Sequence, residues 1–153
     1  MSLEQPELKR LLKASIQAKE TAYAPYSNFR VGAALLCDDG TIIPGCNVEN
    51  ASYGAGICAE RTALVSAVSQ GKKDFRAIAV SSDVPSPSVS PCGICRQFIR
   101  EFCSLDTPIY MVGSNYTESD KEVKDDGETM VVKTLEELLP MSFGPEFLGK
   151  KKV

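Results

Sequence analysis

Residues 58–71 read Cys-Ala-Glu-Arg-Thr-Ala-Leu-Val-Ser-Ala-Val-Ser-Gln-Gly, and residues 91–97 read Pro-Cys-Gly-Ile-Cys-Arg-Gln. The apolar side chains of the first segment recur at helical spacing, and its final glycine is a common residue after a helix end. The second segment opens another predicted helix, over residues 93–102. A predicted strand, 75–81, lies between these two helices. A helix, a strand and a helix in succession are typical of a sheet that is covered by helices.

Hydrophobic periodicity and turn residues predict the other elements on both sides of this region. The predicted helices span residues 6–21, 58–70, 93–102 and 134–140, and the predicted strands span residues 31–37, 41–48, 75–81, 108–112 and 129–133. Residues 38–40, Asp-Asp-Gly, favour a hairpin between the first two strands, and Pro44 inside the second indicates an edge strand or a bulge. Thr134 and Glu137 have the spacing of a capping box. The expected fold is therefore α/β, with three layers (α/β/α) around a mixed, mostly five-stranded sheet.

The length and composition are those of one globular domain. The chain has 153 residues, of which 43% are hydrophobic and 24% charged, as in an ordinary soluble protein. We expect a single domain over residues 1–148 and a basic, disordered tail over residues 149–153. No apolar run approaches the length of a membrane span, which is about 18 residues. The first residues also lack the apolar core of a signal peptide. A cytoplasmic location is therefore expected.

The charge balance argues against a nucleic-acid partner. The formal net charge is −3 and the pI is near 5.1, whereas proteins that grip polynucleotides carry basic patches that meet the phosphates. The basic cluster at residues 150–152 is in the predicted tail, where lysines are ordinarily solvated. We therefore expect a small neutral substrate, with neither nucleic-acid nor membrane binding.

The counts of histidine and cysteine restrict the chemistry further. The chain has six cysteines and no histidine, which excludes Ser-His and Cys-His pairs and every zinc site that needs imidazole. In a cytosolic protein, cysteines are more often metal ligands, nucleophiles or buried apolar residues than disulfides. Any catalysis must therefore use cysteine, a carboxylate, lysine, tyrosine or a metal.

Cys58, Cys92 and Cys95 are the candidate metal ligands. Cys92 and Cys95 lie on one face at the start of a predicted helix, and Cys58 lies at the start of another predicted helix. At both helix starts, unpaired amides and the helix dipole favour the thiolate. Three thiolates leave one position of a tetrahedral zinc ion free, as in catalytic sites. The alternatives are a redox-active cysteine pair and a closed structural zinc with a fourth cysteine. That fourth ligand would be one of three cysteines that we expect to be buried: Cys37, Cys46 and Cys103.

These motifs resemble those of the small, homotetrameric, zinc-dependent cytidine deaminases. The resemblance rests on residues 58–63 and 91–97, and it extends to residues 24–35, 47–53 and 142–145. Polynucleotide-editing deaminases usually have histidine at the first cysteine, so the all-cysteine version resembles the enzymes of free nucleosides. The resemblance implies hydrolytic deamination of cytidine and deoxycytidine to uridine and deoxyuridine, with release of ammonia, in pyrimidine salvage.

For the reacting groups, the resemblance implies one zinc ion per chain, held by Cys58, Cys92 and Cys95. Glu60 would be an acid/base that does not bind the metal: it would take a proton from water, protonate the ring nitrogen and pass a proton to the departing ammonia. Arg61 lies three residues after Cys58 on the same helix face, so it could donate to the sulfurs and offset their charge. Without the cysteines, Glu60 would be assigned to helix-dipole compensation and Arg61 to the exposed surface.

Five further residues are implied to contact the substrate. Asn47 and Glu49 are two apart on a predicted strand, hence on one face, and in the resembling family such a pair holds the base and a ribose hydroxyl. Phe29 resembles the base-stacking ring, and the amide of Ala59 could line the base edge. Phe143 is implied to cover the base in a neighbouring subunit of a homotetramer with shared active sites. The alternatives are a solvated strand end for the polar pair and core packing for the two rings.

Two other functions are also compatible with the sequence. The same site could act on another aminopyrimidine nucleoside, such as a nucleoside antibiotic, and a substrate panel would distinguish this case. Alternatively, zinc could stabilise a non-catalytic binding module. In such a module, Glu60→Gln should change neither the metal content nor the binding of a ligand.

Overall fold

The computed structural model describes residues 3–85 and 89–150. Its helices are α1 (Gln5–Lys19), α2 (Ala59–Ser69), α3 (Gly93–Phe102) and α4 (Leu135–Leu138). Its strands are β1 (Val31–Cys37), β2 (Ile42–Cys46), β3 (Phe75–Ser82), β4 (Pro108–Val112) and β5 (Met130–Thr134). Short 3₁₀ helices lie at Tyr53–Ala55 and Pro145–Leu148. Every predicted helix and strand is therefore present, with ends that differ by a few residues.

The strands form one mixed sheet in the order β2-β1-β3-β4-β5. β1 pairs antiparallel with β2 and β3, β3 pairs parallel with β4, and β4 pairs antiparallel with β5. Pro44 lies opposite Ala34 in β2, at the sheet edge, where a residue without an amide proton leaves no inner ladder bond unmade. The predictions of a five-stranded mixed sheet and of an edge strand at Pro44 are confirmed.

Both faces of the sheet are buried, which explains why β1 is apolar along its whole length. Ala33, Leu35 and Cys37 face one hydrophobic cluster, which also contains residues of α2, α3 and α4. Ala34 and Leu36 face the other cluster, which contains the leucines of α1. Helices thus cover each face, and the predicted three-layer α/β/α arrangement is confirmed.

Gly45 lets α2 lie directly against the edge strand. A Cβ atom at Gly45 would be 2.4 Å from the backbone nitrogen of Ala63 and 2.7 Å from the carbonyl oxygen of Ala59. Any larger residue would push the helix away, because packed interiors leave no room for such an approach. Since Cys58 and Glu60 lie at the start of this helix, the contact helps to set their position.

The boundary between the domain and its tail stays a prediction. The last 3₁₀ helix ends at Leu148, next to the predicted start of the tail at residue 149. Gly149 and Lys150 are exposed. Residues 151–153 of the predicted tail lie outside the described residues.

Candidate metal centre and active site

Two helix starts bring three cysteines together. Cys58 is the N-cap residue of α2, Cys92 is the N-cap residue of α3, and Cys95 lies in the first turn of α3. Their sulfur atoms all lie within 4.8 Å of one another, and those of Cys58 and Cys92 are 3.8 Å apart. The structure thus joins residues that are up to 37 positions apart in the chain.

The sulfur atoms of Cys58, Cys92 and Cys95, called the sulfur group below, are spaced as in a zinc site. Zinc–sulfur bonds of about 2.3 Å in a tetrahedron put two sulfurs roughly 3.8 Å apart, which agrees with the Cys58–Cys92 separation. Within residues 3–85 and 89–150, no fourth cysteine, histidine or carboxylate joins the group. The fourth tetrahedral position is therefore available to a small molecule, as in a catalytic site.

The other three cysteines lie elsewhere, which argues against a closed four-cysteine site. Cys37 and Cys103 are buried, as predicted. Cys46 is only half-buried, and that part of the prediction is wrong because Cys46 ends the edge strand β2, where one side of the ladder is uncovered. Cys46 directs its sulfur to the carbonyl oxygen of Thr21. None of the three belongs to the sulfur group.

The surroundings of the sulfur group favour a thiolate at Cys58. The pKa of Cys58 is lowered to about 5 by a hydrogen bond with Cys95 and by the Arg61 guanidinium. The same hydrogen bond raises the pKa of Cys95, because one proton is held between the two sulfurs. A bound cation would take the place of that proton, since metal binding releases protons from its ligands.

The Glu60 carboxyl is buried beside this group. Glu60 is in the first turn of α2, only 4% of its surface is exposed, and its Oε2 atom lies 3.7 Å from the Cys95 sulfur. Burial raises the pKa of Glu60 above its ordinary value. A carboxylate that only compensated a helix dipole would ordinarily lie in solvent, whereas a buried carboxyl of raised pKa is typical of a group that transfers protons.

Arg61 faces the sulfurs rather than the solvent. Its Nη2 atom lies 3.7 Å from the Cys58 sulfur, and the hydrogen bond to Cys58 raises the pKa of Arg61. This guanidinium is therefore placed to offset negative charge on the thiolates. The exposed-arginine alternative does not hold.

Asn47 and Glu49 lie beyond the strand on which they were predicted. β2 ends at Cys46, and Val48 instead forms isolated bridges with Tyr23 and Ile57. The placement of the two residues on this strand is therefore wrong, because Val48 pairs with Tyr23 and Ile57 instead of extending the β1 ladder. Both side chains nevertheless point towards one loop.

That loop is held by both polar side chains. Asn47 donates from Nδ2 to the carbonyl oxygen of Phe29 at 2.8 Å and accepts from the amide of Val31 at 2.9 Å. Glu49 accepts hydrogen bonds from the Tyr26 amide at 3.0 Å and from the amide and hydroxyl of Ser27. The solvated-strand-end alternative does not hold, because each side chain stabilises the 26–31 loop. Neither role could be predicted from the spacing of the two residues.

A cleft opens beside Glu49. It has a volume of about 340 Å³, and its lining residues are Tyr26, Ser27, Glu49, Asn50, Tyr53 and Gly56. The rings of Tyr26 and Tyr53 lie 5.9 Å apart, tilted by 55°. Sequence reasoning missed both tyrosines. The available signal was an aromatic residue in each of the two polar, turn-rich segments that flank the predicted second strand.

The remaining candidates differ in exposure. Phe29 is half-buried. Ala59 is the first residue of α2 and is buried, and an amide in the first turn of a helix has no acceptor within that helix. Phe143 is 57% exposed, so it does not cap the core of its own chain. Its ring instead stacks on Phe147, with centroids 5.4 Å apart.

Among residues 3–85 and 89–150, no helix is both long enough and apolar enough to cross a membrane.

Comparison with known proteins places the chain in a family. Residues 5–112 match the model for the cytidine and deoxycytidylate deaminase zinc-binding region. The chain is 48% identical over 143 residues to a cytidine deaminase of Sporosarcina psychrophila, covering 94% of this chain and 96% of the relative. It is 49% identical over 136 residues to a cytidine deaminase of Halalkalibacterium halodurans, covering 89% and 93%.

Solved structures give the same result. A crystal structure of cytidine deaminase from Burkholderia pseudomallei matches with a TM-score of 0.76 and 41% identity, over 88% of this chain and 97% of that one. The family model includes the segment with all three sulfurs and Glu60. With a matching fold, a matching sequence and a sulfur group placed to bind one ion, this chain belongs to the zinc-dependent cytidine and deoxycytidylate deaminase family of enzymes.

Proposed function

We propose that this enzyme hydrolyses free cytidine and deoxycytidine to uridine and deoxyuridine, with release of ammonia, in pyrimidine salvage. The observation that carries the proposal is the buried Glu60 carboxyl 3.7 Å from a sulfur of the three-cysteine group. The relatives from Sporosarcina and Halalkalibacterium are named cytidine deaminases. The primary test is the loss of cytidine absorbance on addition of the purified protein, with zinc counted per chain.

In this mechanism, Glu60 moves the protons. Cys58, Cys92 and Cys95 would hold the zinc ion, which when bound would lower the pKa of a water molecule towards neutrality. The Glu60 carboxylate accepts a proton from the attacking water and delivers it to N3 of the base, as the water oxygen bonds to C4. The C4–amine bond then breaks, and Glu60 transfers the second proton of that water to the departing nitrogen. Arg61 meanwhile neutralises charge at Cys58.

The cleft favours a nucleoside over a nucleotide. Hydrogen bonds from Ser27 and Tyr26 lower the pKa of Glu49, so its carboxylate is ionised at neutral pH. An ionised carboxylate accepts hydrogen bonds from sugar hydroxyls and repels a phosphate. Cytidine should therefore be deaminated far more efficiently than cytidine 5′-monophosphate. A panel that includes other aminopyrimidine nucleosides tests the alternative substrate at the same time.

Arg61→Gln should lower kcat/KM by about 10- to 100-fold, while zinc stays bound. Residues that tune metal ligands without binding the metal typically have effects of this size. The reason is that the thiolate charge at Cys58 loses its compensation. Steady-state kinetics and zinc analysis measure both quantities. Arg76→Gln is the control, because Arg76 pairs with Glu7 on the surface, and an unchanged rate in Arg61→Gln would remove Arg61 from the mechanism.

We also propose a homotetramer in which Phe143 enters the site of a neighbouring subunit. The C-terminal segment exposes four large apolar side chains, and exposed apolar groups of this kind mark interfaces. They are Met141, Phe143, Phe147 and Leu148. The exposed face of the Phe143 ring would cover a base that is bound by another chain.

Mixing Glu60→Gln and Phe143→Ala chains during refolding tests this sharing. Phe143→Ala alone should lose about tenfold or more in activity, because aromatic anchors contribute strongly at interfaces. In an equal mixture, half of the sites keep the glutamate and half of those receive an intact ring, so about a quarter of parental activity should return. If the ring serves its own chain, the mixture will show only half of the Phe143→Ala activity. An active monomer would also contradict the proposal.

A cytoplasmic location and the absence of nucleic-acid binding complete the proposal. All six cysteines lie in the described ranges, and none forms a disulfide there, which fits a reducing compartment. The net charge of −3 gives no general attraction to polynucleotides. Binding to single-stranded DNA at low salt would contradict the second point.

A further inference from the structure

A buried arginine near the end of α3 contacts the segment that carries Phe143. Arg100 is 6% exposed. Its Nε donates to the Ser142 hydroxyl at 2.9 Å, and its Nη2 pairs with the Glu146 carboxylate. Gln97, three residues earlier on the same helix face, donates from Nε2 to the carbonyl oxygen of Phe143 at 3.0 Å. The two side chains thus bind the backbone and side chains on both sides of the ring.

Gly144 shows how closely this segment lies on the guanidinium. A Cβ atom at Gly144 would be 2.3 Å from Cζ of Arg100 and 2.4 Å from its Nη2. The chain beside Phe143 therefore lies directly against the Arg100 guanidinium, and a larger residue at position 144 would displace that side chain. Because a buried guanidinium is costly without its partners, this contact holds the segment at one place on α3.

We propose that Arg100 and Gln97 are positioning residues, which fix the C-terminal segment so that Phe143 projects towards a neighbouring subunit at a defined angle. The inference rests on the proposed role of Phe143 in that subunit. The first turn of α3 carries Cys95, and Cys92 caps the helix. The helix α3 and its N-cap therefore carry two of the metal ligands, and the same helix carries the two side chains that hold the segment with the Phe143 ring.

A double-mutant cycle separates positioning from a general structural role. Arg100→Met should raise KM for cytidine about tenfold and leave kcat within about threefold, because binding of the base is lost and the proton transfers are kept. Arg100→Met combined with Phe143→Ala should be no worse than Phe143→Ala alone, since both act through the same ring. Arg76→Met, which removes a surface arginine that also pairs with a carboxylate, should change neither constant. Additive effects of the two changes would overturn the proposal.

A second measurement does not depend on turnover. The chain has no tryptophan, so Phe143→Trp introduces a single indole whose anisotropy and acrylamide quenching report the order of the segment. Adding Arg100→Met should raise the quenching constant about threefold, whereas adding Arg76→Met should not. Glu146→Gln weakens the ion pair without removing the arginine, and it should shift quenching in the same direction by less.

These two readouts distinguish failure of the inference from failure of the proposed function. An unchanged quenching constant in both the Arg100 and Glu146 variants would overturn the positioning role, whatever the enzyme's activity. If the parent protein does not deaminate cytidine but the indole is released by Arg100→Met, the anchoring contact stands and the proposed function fails.

Discussion

Glu60→Gln is expected to lower kcat for cytidine by about 10⁴-fold or more, with fold and zinc content unchanged. A single general acid/base is typically worth about 10²- to 10⁴-fold. In the proposed mechanism one carboxyl serves several proton transfers, so the loss should reach or exceed the upper end of that range. The amide has nearly the same shape but cannot exchange a proton. Its site is buried, so bulk water cannot readily replace the lost group.

Single-turnover deamination measures the loss of activity, while zinc analysis and thermal unfolding check that the metal content and the fold are unchanged. Glu101→Gln is the matched control, because Glu101 lies on the exposed face of α3 and should keep parental kinetics. A kcat within tenfold of the parent would remove Glu60 from its proposed role. It would also favour a metal that only stabilises the fold.

Cys92→Ser is expected to lose zinc and activity together. A neutral hydroxyl is a much poorer zinc ligand than a thiolate, and two sulfurs would remain for an ion that needs three. Cys92 is exposed, so the change creates no cavity in the core and the effect of the metal can be isolated. The melting temperature should fall as well, since a ligand that binds only the folded state stabilises it.

Zinc per chain after dialysis, circular dichroism and deaminase activity measure this outcome. Cys46→Ala is the control, because Cys46 is outside the sulfur group and its loss should leave one zinc per chain. Near-stoichiometric zinc in the Cys92→Ser protein would overturn the ligand assignment.

Local elements of the fold could be predicted because their determinants lie within a few residues of one another. The strand 31–37 was predicted with both ends correct, since its apolar run is bounded by turn residues. The capping box of Thr134 and Glu137 forms as predicted, since both partners lie in one turn. The helix starts at Cys58 and Cys92 were predicted in the same way.

The convergence of the three cysteines could be predicted only in part. Helical spacing places Cys92 and Cys95 on one face, whereas the approach of Cys58 depends on the packing of α2 against the sheet. That packing requires the contact at Gly45, and the pattern of the chain did not reveal it. The resemblance to the cytidine deaminases, rather than any local pattern, implied that Cys58 lies beside Cys92 and Cys95.

The order of helices and strands and the helix starts at Cys58 and Cys92 could be predicted from the chain alone, because periodicity, caps and short motifs are local. The packing of the elements places Asn47 and Glu49 against the 26–31 loop, which they hold, and brings two tyrosines into the lining of the cleft. It also decided that Arg100 holds a segment more than forty residues away. Contacts between such distant residues depend on how the elements pack, and no local pattern specifies that packing.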